Sequence, residues 1–176
     1  MRSKIEKISR VMAHVILVII IAFPVLSIIT WLDMDLFTAL VSQELGEEFN
    51  LSAMSMPGRI AGFFVSLFGA GLQVVGFIAL RNTFQEAGNG RPLSLKSIMN
   101  FRRFAFISLA MVFVGILQHT AYILIFSMSD PEIPRQLAIT VGSSEVYALF
   151  VGILFLFVST VFASGRMAQE ENASFL

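Results

Sequence analysis

The chain contains no cysteine. That one absence excludes disulfides, thiolate metal sites and thiol redox chemistry together. Charge is also scarce, with Asp, Glu, Lys and Arg forming 14% of 176 residues. A water-soluble domain carries about a quarter, so there is too little charge here to coat such a surface. Trp occurs once and Tyr twice, beside 18 Phe. Metal-binding and protease signatures are missing, as are Gly-rich nucleotide loops. No internal repeat or low-complexity segment is present.

What remains is apolar. Hydrophobic residues fill 56% of the chain and the mean hydropathy is +0.81. They gather in four stretches, 11–32, 60–80, 104–128 and 146–163, none containing Asp, Glu, Lys or Arg. A helix needs about 20 apolar residues to cross a hydrocarbon core of about 30 Å. The hydroxyls of Ser143 and Ser144 suit a helix N-cap, which lengthens the fourth span to about 144–164. A soluble bundle with greasy helices is the weaker reading, because its helices would still need a polar stripe. The expected fold is all-α: one domain over 1–176, with four transmembrane helices as two hairpins.

The first stretch follows Arg2, Lys4, Lys7 and Arg10, as a signal peptide would. Its apolar part exceeds a signal h-region and no small-x-small cleavage site follows, so it reads as a retained helix. Pro24 predicts a kink within it. Trp31 lies at its far end, where an amphipathic ring suits the membrane interface.

Orientation follows from the bases. The N-terminal tail, the loop 81–103 and the C-terminal tail hold ten Lys and Arg against Glu6, Glu86, Glu170 and Glu171, a net +6. The other two loops hold Arg59 and Arg135 against eight acids, a net −6. Basic flanks stay in the cytoplasm, which predicts both termini inside.

In the outer loop 33–59, Phe37, Leu40, Val41, Leu45 and Phe49 recur near helical spacing, predicting a surface helix. Glu44, Glu47 and Glu48 on it suggest a cation-sensing patch, but a solvated face explains them more simply. The basic loop turns at Gly88-Asn89-Gly90, a sequence suited to positive φ. Ser94 is placed to cap a third helix over 95–128, about 50 Å long at 1.5 Å per residue. That exceeds the bilayer, so Lys96, Arg102 and Arg103 ride on its cytosolic end, facing anionic headgroups or a docked partner.

Among polar side chains within the spans, an ionisable one is a functional candidate. His14 and His119 qualify, but their depths differ by about 18 Å, which excludes one shared metal or haem. Gln118, His119 and Thr120 suit interhelical hydrogen bonds better than a site. No intramembrane carboxylate accompanies them. Catalysis, a cofactor and a bound metal are therefore not expected. In the second span Gly62, Gly69 and Gly76 recur every seven residues. Such a stripe lets a neighbouring helix approach, in the same chain or in a second copy. Ala70 and Leu72 lie off it.

The inner-face motifs Leu80-Arg81-Asn82-Thr83-Phe84, Gly90-Arg91-Pro92-Leu93-Ser94 and Phe101-Arg102-Arg103 resemble a known bacterial group. The tail Gly165-Arg166-Met167-Ala168-Gln169-Glu170-Glu171-Asn172 is similar to that group's closing signature, with Met167 and Ala168 replacing a large aliphatic. The ending Ala173-Ser174-Phe175-Leu176 departs from it. The group is a "domain of unknown function" family of four-helix inner-membrane proteins. Its members are often encoded beside a small helix-turn-helix regulator. The resemblance implies a bacterial cytoplasmic-membrane location and membrane-linked control of transcription.

Two functions stay open. One is a non-enzymatic regulatory or sensory protein. It would dock a cytosolic regulator through Arg81, Arg91, Lys96, Arg102 and Arg103, with Glu170 and Glu171 of the tail alongside. The other is a small oligomeric transporter or channel lined by Gln73, Gln118 and His119. Expected partners are the lipid bilayer, that regulator and further copies of the chain, without direct nucleic-acid contact.

Overall fold

Four long helices follow from the four apolar stretches, and each overruns its stretch into polar sequence. A computed structural model describes residues 4–33, 54–129 and 142–174. The elements are α1 (Lys4–Leu32), α2 (Met56–Gly88), α3 (Leu95–Ser129) and α4 (Ser143–Ser174). All four are long and apolar enough to cross a membrane. Only 11% to 22% of each apolar window is buried inside the chain, so most of that surface faces lipid once the helices span. At 35 residues α3 is about 52 Å long. The surface helix expected in the outer loop and the acids Glu44, Glu47 and Glu48 lie outside the described residues, as does most of the loop before α4.

The helix ends follow local chemistry. Ser55 caps α2, its hydroxyl accepting from the Gly58 N–H at 3.4 Å, with Pro57 in the first turn. Ser94 caps α3 as expected, accepting from the Ser97 N–H at 3.1 Å. At α4 the cap is not the expected serine hydroxyl. Glu145, three residues after Gly142, reaches back to accept from the Gly142 N–H at 2.7 Å, as the acid of a capping box does. Within α1 the chain stays helical through Pro24.

The helices pack in chain order: α1 on α2, α2 on α3, α3 on α4. Other pairs barely meet. Along α2 the glycine stripe divides between two neighbours. A β-carbon at Gly62 would overlap the Trp31 ring of α1, and one at Gly69 would overlap the Gln118 amide of α3. At Gly76 it would sit 3.0 Å from Ile107 Cγ2, also on α3. These glycines act as sockets for side chains, whereas the sequence suggested backbone approach along one stripe. Ala70 corrects a second expectation: it is 5% exposed and belongs to the core. Gly71, with nothing within 4 Å of its β-carbon position, is the residue that points away.

Attachment of α4 is through rings. Phe101 lies 6.0 Å from Phe155 and 5.6 Å from Phe162, and Phe104 lies 5.3 Å from Phe155. Nearby, Gly152 of α4 admits Leu109, whose backbone N would be 3.4 Å from a β-carbon there.

Candidate functional site

The basic end is built on one acid. α2 closes with Arg91 N–H donating to the Glu86 carbonyl at 3.0 Å and Gly90 N–H to the Ala87 carbonyl at 3.1 Å. This Schellman pattern needs a left-handed residue, supplied by Gly90 at φ +78°. The pattern sets residues 86 and 91 side by side, where an apolar contact is common. Here an ion pair takes its place. Arg91 Nη2 is 3.4 Å from Glu86 Oε2, and Lys96 Nζ approaches Oε1 at 3.2 Å. Glu86 is 7% exposed, while the Arg91 and Lys96 side chains are 66% and 72% exposed. The carboxylate is thus buried beneath two cations that remain in contact with solvent.

Neighbouring helices hold this turn in place. Arg10 Nε of α1 donates to the Gly88 carbonyl at 3.3 Å, and Glu6 lies 4.0 Å from Arg10. Thr83 of α2 donates to the Ala79 carbonyl or to the Ser97 carbonyl of α3, at 3.2 and 3.3 Å. Ser9, Ser97 and Asn100 complete a buried polar layer.

The five bases read from sequence therefore divide into three kinds. Arg91 and Lys96 are committed to Glu86. Arg102, stacked 5.7 Å over the Phe106 ring, and Arg103 are exposed on α3. Arg81 is half-buried, and its Nε makes no hydrogen bond. In the tail, Glu170 accepts from Arg166 Nε of its own helix at 2.7 Å, and Glu171 is exposed on α4.

The opposite end is joined by neutral groups. Trp31 Nε1 donates to Ser66 Oγ at 2.7 Å, and Ser66 Oγ lies 2.6 Å from the Tyr122 hydroxyl. One short chain thereby links α1, α2 and α3. Gln118 Nε2 donates to the Val65 carbonyl at 2.7 Å, a bond across helices of the kind expected. Gln73 is half-buried, and His119 Nδ1 is buried without a hydrogen bond. His14 donates to the Arg10 carbonyl at 2.7 Å, near the basic end of α1. Among the described residues no three His, Asp or Glu are grouped to hold a metal.

No family model, curated protein or solved structure matches this chain.

Sequence reasoning missed Tyr122, Gly152 and the anchoring role of Glu86. For Glu86 a signal was present: an acid and a base flank a glycine turn at positions that a Schellman motif brings together. Tyr122 carried no such signal, because its partner Ser66 is 56 residues away.

Proposed function

We propose that the chain is a non-enzymatic regulatory protein of the bacterial cytoplasmic membrane. Both termini face the cytosol, and the basic end holds an acidic cytosolic partner. One observation carries this reading: the turn between α2 and α3 is tied down by its own cap, by Glu86 and by α1. Its acid is buried, its cap is closed and α1 is seated against it. A docking surface gains from such preorganisation, since less ordering is lost on binding. Arg102 and Arg103 offer exposed charge beside it. The resemblance of the loop and tail to the four-helix family supports a regulator as the partner. The transporter alternative draws on the unpartnered His119 Nδ1, but Gln118 is committed to the Val65 carbonyl.

The test uses two measurements on the full chain. Gln43→Cys and Glu132→Cys should react with a membrane-impermeant reagent in whole cells, and Asn89→Cys and Asn172→Cys should not. With that topology intact, Arg102→Gln/Arg103→Gln should lose the acidic partner that co-purifies with the wild type from mild detergent. This pair is preferred to Arg91 and Lys96, whose loss would strand Glu86. Reversed labelling overturns the orientation. Retention of the same partner at the same salt overturns the docking reading.

A further inference from the structure

Among the described residues three bases at the basic end are half-buried: Arg10, Arg81 and Arg166. Two of them are met inside the chain, Arg10 by the Gly88 carbonyl and Glu6, and Arg166 by Glu170. Arg81 is not. Its Nε is sealed from solvent without a hydrogen bond, and among the described residues no carboxylate pairs with it. The helices around it have no spare acid. Arg81 lies on α2, whose one acid, Glu86, already holds Arg91 and Lys96. α3 contains no Asp or Glu, and α1 contains only Glu6, which lies against Arg10. A guanidinium keeps its proton, so the charge persists and calls for an anion from outside the chain.

Depth says which anion. The Trp31 ring, seated on Gly62, marks one membrane interface, where indoles settle. Arg81 stands 19 residues further along α2, about 28 Å away, close to the thickness of the hydrocarbon core. It is also the first charged residue after the apolar stretch 60–80. Arg81 thus sits where hydrocarbon gives way to lipid phosphates, with the Glu86 turn beyond it. A side chain that only snorkelled to water would leave its whole head wet. Here the chain covers Nε, and the terminal nitrogens are left for an outside acceptor. A guanidinium fork matches phosphate with paired hydrogen bonds. The net +6 of this end repels a headgroup ammonium, which favours an anionic lipid over a zwitterionic one.

We infer that Arg81 binds the phosphate of an anionic phospholipid in the leaflet at the basic end. The site is the same whichever way the chain faces and whatever docks at the turn.

The full chain is purified in mild detergent, freed of lipid, and titrated with phosphatidylglycerol, phosphatidylcholine or inorganic phosphate at constant ionic strength. Retained lipid is counted by native mass spectrometry, and stability is followed by thermal unfolding. Phosphatidylglycerol should bind wild type about tenfold more tightly than Arg81→Gln, the scale of losing charge-assisted hydrogen bonds. It should raise the Tm of wild type but not of that variant. Lys7→Gln, which removes an exposed charge from the same end, should bind as wild type does. Without lipid, Arg81→Gln should unfold no earlier than wild type, because it removes an unmet charge. Earlier unfolding would mean that Arg81 already has a partner within the chain. Equal retention of phosphatidylcholine would mean bulk lipid only, and stabilisation by inorganic phosphate would mean a soluble-anion site. Undiminished binding in Arg81→Gln would place the lipid elsewhere. Each of these four results overturns the proposal.

Discussion

The two ends of the α1–α2–α3 core solve one problem in opposite ways. At the Trp31 end, three helices are joined by neutral hydrogen bonds and by a ring set into a glycine socket. At the basic end, a buried carboxylate, two solvated cations and a layer of hydroxyl and amide groups do the joining. The difference tracks the surroundings expected for each. Neutral bonds suit a medium where a charge is expensive. An ion pair whose cations stay wet suits the membrane surface, where desolvation is incomplete. Glycine serves both ends, at Gly62 to admit an indole and at Gly88 to admit Arg10.

The sharpest way to break the comparison is at Gly62. Gly62→Leu should overlap the Trp31 ring, sever its bond to Ser66 and cost about 3 kcal/mol. Gly71→Leu, facing open space, should cost almost nothing, and thermal unfolding in detergent compares the two. A similar loss in both would mean that Gly62 hosts no ring.

Next in size is Arg91→Gln/Lys96→Gln, which leaves Glu86 buried without a cation. Its cost should be about 1–3 kcal/mol, below that of a fully buried pair because both cations are exposed. Raising salt should narrow the gap between wild type and this variant, since screening weakens the wild-type pairs. The Gly62→Leu gap should not respond. Salt independence at both ends would erase the contrast. Tyr122→Phe should have the smallest effect, about 0.6 kcal/mol for one interhelical hydrogen bond. Trp31→Phe combined with it should cost less than the sum of the two, because they share Ser66. Strict additivity would show that the three groups do not act as one chain.

The four long helices were legible because charge-free runs of this length have few alternatives. The Ser94 cap and the Gly90 turn were legible for a related reason: each is decided within a few residues. Pairings across helices were not. The stripe Gly62, Gly69, Gly76 marked α2 as open to close approach, yet its division between Trp31, Gln118 and Ile107 depends on how two neighbours are rotated. Ala70 was misplaced for the same reason, since with neighbours on two sides the packed arc of α2 is wider than a single stripe. Of the candidate site, the sequence displayed the bases but not which of them Glu86 had already engaged.

Packing in chain order also bears on how the protein is made. Among the described residues each helix after α1 meets, as its main neighbour, the one synthesised just before it, so most contacts between helices need not await a distant segment. Synthesis delivers about 5–20 residues each second, giving every helix seconds beside its predecessor before the next emerges. Contacts this local are the fast ones to form. α2 is covered on its second side only when α3 arrives, and Ser66 holds Trp31 until Tyr122 completes the link. α4 comes last and docks mainly on α3, its Phe155 and Phe162 meeting Phe101 and Phe104 rings already in place.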